Sequence, residues 1–535
     1  MFVDFDCIRK LWPEIILMVA ATWIYLGATL QNNRAFWTVF SLIVYSVVGA
    51  IIVAWEGAYW ADSDPSAVWF VGPILVDYVG YTLRLLVLLL GVLFTLVASQ
   101  AISSKLSGEY LATLMLLVVG LMLVARANDL VMVFVSLELI SIPTYVLIYL
   151  GRHDRATSEA AVKYFFLSLL ASGFLLYGLS FLYGISGTTT ILASGDQPAI
   201  LHYAAGVETT QGVAKSLSGL APFALVLIVA GLGFKMAVVP FHFYAPDVYQ
   251  GANNANAGLL AVAPKLAGAI IFIRLLITTQ PGGAQLGWQL TLVLALLTMT
   301  LGNVCALWQQ NLRRMMAYSS IAHAGYILIG LSAGFAGDNG GVGAALLYLF
   351  VYALGSLGFF AALASLSNQR REVSDMDELV GLGSARPAVA AAIAVFMFSL
   401  AGIPPLAGFW GKLGLFSSAI RTALVSGDAS TSSWFVVLAV GGAINAAIAA
   451  AYYLRVVSVM YFRSRTAGNA TTDQFGATTA MFACAVLLVS VGVFPRAAVN
   501  ASRTSGSVIE RVAKSSRSLP NQIYVARDSR SDSRD

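Results

Sequence analysis

Long apolar runs separated by short polar punctuation occupy most of the chain, at about 12–30, 35–55, 79–99, 110–125, 130–150, 160–184, 220–239, 257–278, 286–308, 318–336, 342–365, 388–420, 433–461 and 478–494. Most are long enough to cross roughly 30 Å of hydrocarbon as a helix. The runs are continuous rather than alternating, and lipid offers no partner to an open backbone, so the pattern predicts helices and excludes a barrel. The fold class expected is therefore an all-α polytopic membrane protein of about fourteen transmembrane helices. The first run follows Asp4, Asp6, Arg9 and Lys10 and lacks a small-residue cleavage site, so it reads as a retained span.

An even number of spans puts both termini on one side. The short loops on the opposite side carry eleven basic residues, against five on the terminal side without the C-terminal tail. The positive-inside rule then places the termini outside the cytoplasm, on the periplasmic side of a bacterial inner membrane. Two polar stretches interrupt the pattern. Residues 186–219 are rich in Gly, Ser and Thr, and 496–535 end in "RDSRSDSRD", a low-complexity sequence that reads as a disordered tail.

Composition narrows the function classes. Of 535 residues, 59% are hydrophobic and 11% charged, less than half the roughly 25% charged fraction of soluble proteins. A soluble multi-domain enzyme, a disordered chain and a disulfide scaffold are excluded, and nothing points to nucleic acid. Cys7, Cys305 and Cys484 form no CxxC pair, and His153, His202, His242 and His323 are scattered. No metal ligand set and no cofactor site is signalled.

The informative charges are those inside the apolar runs, where a charge at the bilayer centre costs at least about 2.5–3.5 kcal/mol. Glu138 interrupts "VMVFVSLELISIPTYVLIYL", Lys235 "LVLIVAGLGFKMAVVP", Lys265 "LLAVAPKLAGAIIF" and Lys412 "GIPPLAGFWGKLGLF". A buried Glu–Lys pair can simply join two helices, and lysines near helix ends can snorkel. Four such residues, three beside helix breakers, favour a proton relay, because lysine shifts its protonation readily when desolvated. Gly231, Gly233 and Pro240 flank Lys235, and Gly402, Pro404, Pro405, Gly408 and Gly411 precede Lys412, so both segments are expected to be discontinuous, with the two lysines in corresponding places. Secondary relay candidates are Lys163, which either tunes Glu138, lines an inlet or pairs with Glu159 at a boundary, and His323, a relay or a satisfied core histidine. Asp129 and Glu14 read as interfacial or structural.

At these segments the chain resembles subunit N of the proton-translocating NADH–quinone oxidoreductase, respiratory complex I, in the antiporter-like membrane-subunit family. "LWPEIILMVAA", "ANDLVMVFVSLELISIPTYVL", "SEAAVKYFFL", "GFKMAVVPFHFYAPDVYQGA", "RRMMAYSSIAHAGYILIG" and "AGIPPLAGFWGKLGLF" carry the resemblance, from about residue 12 to about 494, with "PDVYQGA" the most specific phrase. It implies an N-terminal three-helix segment (1–109), two inverted five-helix repeats (110–278 and 286–461) each with one broken helix, and a last transmembrane helix (478–494). It also implies roles for Glu138 and Lys235 as a pair, Lys265 as the central lysine and Lys412 as the residue exchanging protons with the outer side. The partners implied are other membrane subunits, a neighbouring antiporter-like subunit and small ones among them. NADH, FMN, iron–sulfur clusters and quinone would be used by other subunits, so the chain belongs to an enzyme without doing redox chemistry. A cation/proton antiporter or membrane-bound hydrogenase subunit is the alternative, and a non-conducting spacer a third reading. One departure is "NNANAGLLAVAPK" after "PDVYQGA", where the family commonly has prolines and threonine.

Overall fold

A computed structural model describes residues 5–62, 67–152, 154–192, 199–200, 218–280, 283–367, 371–463 and 474–517. His153, His202, most of the 186–219 stretch and the "RDSRSDSRD" sequence lie outside them. The helices are α1 (Phe5–Lys10), α2 (Trp12–Leu30), α3 (Arg34–Ile52), α4 (Ala58–Asp62), α5 (Tyr78–Ala101), α6 (Ser107–Arg126), α7 (Leu130–Gly151) and α8 (Arg155–Ser186). They continue as α9 (Ala221–Met236), α10 (Ala245–Gly251), α11 (Asn254–Ile271), α12 (Ala284–Leu307), α13 (Leu312–Phe335) and α14 (Asn339–Leu366). Last come α15 (Leu382–Ala385), α16 (Pro387–Ala401), α17 (Ala407–Val425), α18 (Ala429–Phe462), α19 (Phe475–Val493) and α20 (Arg496–Arg517). Among the described residues eleven helical spans are long and apolar enough to cross a membrane, and α9 and α16 are shorter apolar helices.

The polar punctuation caps these helices. Asp77, Asp129, Asp154, Asn253, Asn311 and Asp428 each sit at an N-cap and accept a first-turn backbone N–H. Each such cap typically contributes about 1 kcal/mol. The link from α4 to α5 folds as a hairpin of β1 (Trp69–Val71) and β2 (Ile74–Val76), antiparallel, with Gly72 at φ 56° in its turn. This hairpin falls in a stretch too short for the periodicity of the long runs to reveal it.

The span from Asn254 to Ile277 is wholly buried, and α14 and α6 nearly so, while α2, α3 and α18 keep about two thirds of their best apolar window facing outward. Helices hydrophobic all round thus form the centre and the others meet lipid or neighbours. Buried charge ties the N-terminal helices to this centre. Arg84 lies 2.9 Å from Glu14 and 2.7 Å from Glu56, and Arg126 2.5 Å from Glu56. Arg274 meets Asp77 through two bonds of 2.6 and 2.7 Å and donates to Ala125 O at 2.9 Å. Glu56 and Arg274 both lie in π-helical turns, Val53–Gly57 and Phe272–Ile277, the local widening that re-aims a side chain.

Residues 496–517 depart from the disordered tail expected of them, while the rest of that tail lies outside the described residues. Residues 496–517 form α20, whose Ser505, Val508 and Ile509 are buried against α14 and α5. Low hydropathy concealed an apolar stripe at helical spacing, and the neighbouring spans supply the surface that a tail in water would lack.

Two measurements test this architecture. Arg274→Ala leaves Asp77 buried without its partner and should lower stability by about 3–5 kcal/mol, read as an earlier unfolding transition in detergent. Burial raises the Asp154 carboxyl, but the hydrogen bonds from Thr157 and the charge of Arg152 outweigh it, so it titrates below the usual carboxylate range. Its contribution is then complete above an unfolded value of about 3.9 and is lost as pH falls through the lower folded value. An acid unfolding series should show a shallower acid limb for Asp154→Asn.

Candidate functional site

Both interruptions foreseen around Pro240 and around Pro404 and Pro405 are present. The helix α9 stops at Met236, with Ala237 left-handed at φ 57°, and α10 restarts at Ala245; α16 stops at Ala401, with Gly402 at φ 88°, and α17 restarts at Ala407. In each break the left-handed residue stands three positions before a proline, Ala237 before Pro240 and Gly402 before Pro405. Proline has no N–H to continue a helix, so both chains turn out of helical geometry at matching points. Gly231 and Gly408 lie inside continuous helix instead. A Cβ on Gly408 would stand 1.6 Å from Ser399 O, and one on Gly231 2.7 Å from Leu175 Cβ, so these glycines permit close backbone approach. The lysines do not correspond: Lys235 ends α9 before its break, whereas Lys412 follows its break in α17. The residue seven after Pro240, matching Lys412 seven after Pro405, is Asp247.

In the first half, Lys235 is 4% exposed and Glu138 half-buried. No ion pair within 4.0 Å joins them, and serine hydroxyls hold each of them. Ser172 on α8 donates to Glu138 Oε1 at 2.5 Å. Lys235 Nζ donates to Ser168 Oγ on α8 at 3.2 Å and to Ser141 Oγ on α7. Ser141 lies three residues after Glu138 and Ser168 four before Ser172, so one face of each helix supplies these hydroxyls. Lys163 is elsewhere: it pairs with Glu159 at 2.7 Å and Asp247 at 3.5 Å, nine residues or about 13.5 Å along α8 from Ser172. The boundary pairing therefore describes Lys163, and contact with Glu138 does not.

In the second half, α13 presents Ser320, His323 and Tyr326 at three-residue spacing between two lysines. Lys265, 2% exposed and next to the in-helix Pro264, donates to Ser320 Oγ. Tyr352 Oη at 2.9 Å and Tyr249 Oη at 3.1 Å meet the same hydroxyl. His323 bonds Tyr348 Oη through Nδ1 at 2.6 Å and Tyr453 Oη through Nε2 at 2.8 Å, and Tyr453 Oη also meets Ser319 Oγ at 2.5 Å. A neutral imidazole donates from one nitrogen and accepts at the other, so a change of tautomer reverses both bonds. Lys412, 4% exposed, donates to Ala401 O at 2.8 Å and lies 4.9 Å above the Tyr326 ring. That carbonyl is left over at the end of α16 because the helix breaks there.

The buried charges fall into two chemical classes. Arg84, Arg126, Arg274 and Arg313 all meet carboxylates. Among the described residues, Lys235, Lys265 and Lys412 form no ion pair and bond neutral oxygens. Guanidinium holds its charge, so its pairs are fixtures, while an amine among hydroxyls can exchange a proton. Sequence reasoning missed Ser141, Ser168, Ser172, Tyr348 and Tyr453, and missed Arg84 and Arg274 as charges inside apolar runs. The serine spacings around Glu138 were a usable signal; the tyrosines, on α14 and α18, were not locatable from α13.

The chain is similar to known membrane proteins over most of its length. The profile of the family described as "NADH:quinone oxidoreductase/Mrp antiporter, TM" matches residues 127–444. NADH-quinone oxidoreductase subunit N of Rhodospirillum rubrum is 36% identical over 456 residues, covering 85% of this chain and 88% of that protein. A chain of respiratory complex I from Thermus thermophilus superposes with a TM-score of 0.72 at 29% identity, covering 91% of this chain and 98% of that one. A chain of the Mrp complex from Dietzia gives 0.75 at 18% identity over 95% and 99%, a likeness of fold.

Tyr453→Phe should test the packed hydroxyl cluster. It strips His323 Nε2 and Ser319 of a shared partner and should cost about 1–3 kcal/mol, seen as a lower melting temperature, whereas Tyr461→Phe at an exposed position should melt like the parent.

Proposed function

The chain belongs to the NADH-quinone oxidoreductase subunit N family, and on that premise we propose that it is a proton-translocating membrane subunit of such an oxidoreductase, with Glu138, Lys235, Lys265 and Lys412 as its relay. The observation that carries the relay is the α13 stripe of Ser320, His323 and Tyr326 running from Lys265 to Lys412 without an intervening carboxylate. Lys235 reaches the same centre from the other half, since its Cβ lies 3.5 Å from where a Cβ on Gly268, three residues past Lys265, would stand.

Quinone reduction elsewhere in the assembly would change the field at Glu138. Breaking or remaking the hydroxyl bonds that hold it and Lys235 shifts the proton affinity of Lys265, which passes a proton along α13 toward Lys412. Moving one charge against 100 mV costs about 2.3 kcal/mol, equivalent to roughly two pKa units at 1.36 kcal/mol each. Rearranging one charge in a desolvated site is enough to supply that. His323 and the hydroxyls on both its nitrogens serve as the mobile link. NADH, flavin, iron–sulfur clusters and quinone belong to other subunits, and neighbouring membrane subunits cover part of the outward apolar faces.

The membrane arrangement in this reading is fourteen crossings. They are the eleven long spans, α13, and the two broken helices α9–α10 and α16–α17 counted once each. Residues 110–278 and 286–461 are the inverted repeats, supported by the matching left-handed residue and proline in the two breaks. The basic residues of the short loops favour termini on the periplasmic side. A cation/proton antiporter subunit is the second reading, favoured by the family description that joins the two activities.

The test uses the whole assembly in vesicles. Lys235→Met, Lys265→Met and Glu138→Gln should each reduce proton uptake per NADH oxidised several-fold. Unchanged pumping with normal quinone reduction would remove those residues from the relay, and sodium-dependent transport by an assembly that does not oxidise NADH would favour the antiporter.

A further inference from the structure

The amphipathic helix α20 takes no part in the proton chemistry, yet it is built against the membrane-spanning body. A Cβ on Gly343 would stand 2.5 Å from Ser502 O, so the backbone of α20 seats directly on the start of α14. Its opposite face carries Arg496 and Arg503, both exposed and seven residues apart, which is two turns and one side of the helix. The sequence of α20 carries five basic residues, Arg496, Arg503, Arg511, Lys514 and Arg517, and one acidic residue, Glu510, a net charge of +4.

Beneath the apolar side lies a groove of about 610 Å³ between α5, α14, α19 and α20. Leu85, Leu86, Leu89, Leu346, Phe350 and Ala501 supply its walls. It runs along α5 from Thr82 to Leu89, about 10 Å, and starts four residues into α5, seven into α14 and at the last turn of α19. That is the depth at which acyl chains begin. We propose that α20 lies in the membrane surface and closes this groove over a diacyl phospholipid with an anionic headgroup. An extended peptide in the groove would leave its backbone N–H and C=O groups unpaired against leucine, at several kcal/mol for each group. A hydrocarbon chain has no such groups, and the basic face of α20 attracts a negative headgroup at the water boundary.

The experiment purifies the whole assembly into vesicles of phosphatidylcholine doped with phosphatidylglycerol and counts retained lipid by native mass spectrometry. The parent should retain phosphatidylglycerol in preference. Ala501→Trp, which fills the groove, should lose the tightly held lipid, and Arg496→Glu with Arg503→Glu should keep a lipid while losing the preference several-fold. If Ala501→Trp fails to assemble, the double glutamate variant on the water-facing side decides alone. Equal retention of the two lipids by the parent, or a photo-crosslink from position 346 to a polypeptide instead of lipid, would overturn the proposal. NADH oxidation and pumping are read on the same samples, so a failure of the relay reading leaves this result interpretable.

Discussion

Removing a charged or polar group from water inside a bilayer costs several kcal/mol unless protein atoms replace the water. Much of this molecule can be derived from how that cost is met. Backbone groups meet it by helix formation and by Asp and Asn caps at the helix starts. Where helices break, the freed groups find side chains: Ala401 O receives Lys412, and Phe234 O receives Tyr244 Oη at 2.9 Å. The broken helices are tolerable because freed carbonyls such as these two face donors within the protein.

The same cost sorts the buried cations. Arginine stays charged at any depth, so Arg84, Arg126 and Arg274 require carboxylates, and with Glu14, Glu56 and Asp77 they lock the N-terminal helices to α6 and α11. Lysine can shed its proton, so Lys235, Lys265 and Lys412 can sit among hydroxyls and a carbonyl. A permanent ion pair would trap each amine in one state. The fold thus gives fixed and exchangeable charge different partners, and the buried span from Asn254 to Ile277 carries one of each, Arg274 and Lys265.

Periodicity alone located the spans to within a few residues, because one helix must fill the bilayer and its ends must be polar: the run at 130–150 is α7 and that at 286–308 is α12. Prolines marked both breaks. The serines that hold the two members of the expected Glu138–Lys235 pair, Ser172 on one side and Ser168 and Ser141 on the other, were missed in the sequence. The correspondence of Lys235 with Lys412 was misplaced because sequence distance from a proline does not say on which side of a break a side chain enters the interior, whereas Lys163 follows the boundary pairing with Glu159 that its spacing offered. The tail misread at 496–517 shows the converse, a helix whose apolar stripe is too sparse to announce itself without the surface it packs on.

By itself the sequence determined that this chain lives in lipid, that its helices are many and that two are interrupted, and it singled out Glu138, Lys235, Lys265 and Lys412 among the ionisable residues inside its apolar runs. Those conclusions depend on the free energy of single residues in hydrocarbon, which is local. Only the tertiary structure decided which oxygens stand beside each lysine, that His323 bridges Tyr348 and Tyr453, and that arginines and lysines are partnered differently. Those outcomes depend on helices such as α13 and α18, whose His323 and Tyr453 meet across 130 residues of chain, and no period along one helix encodes the face that another will present to it.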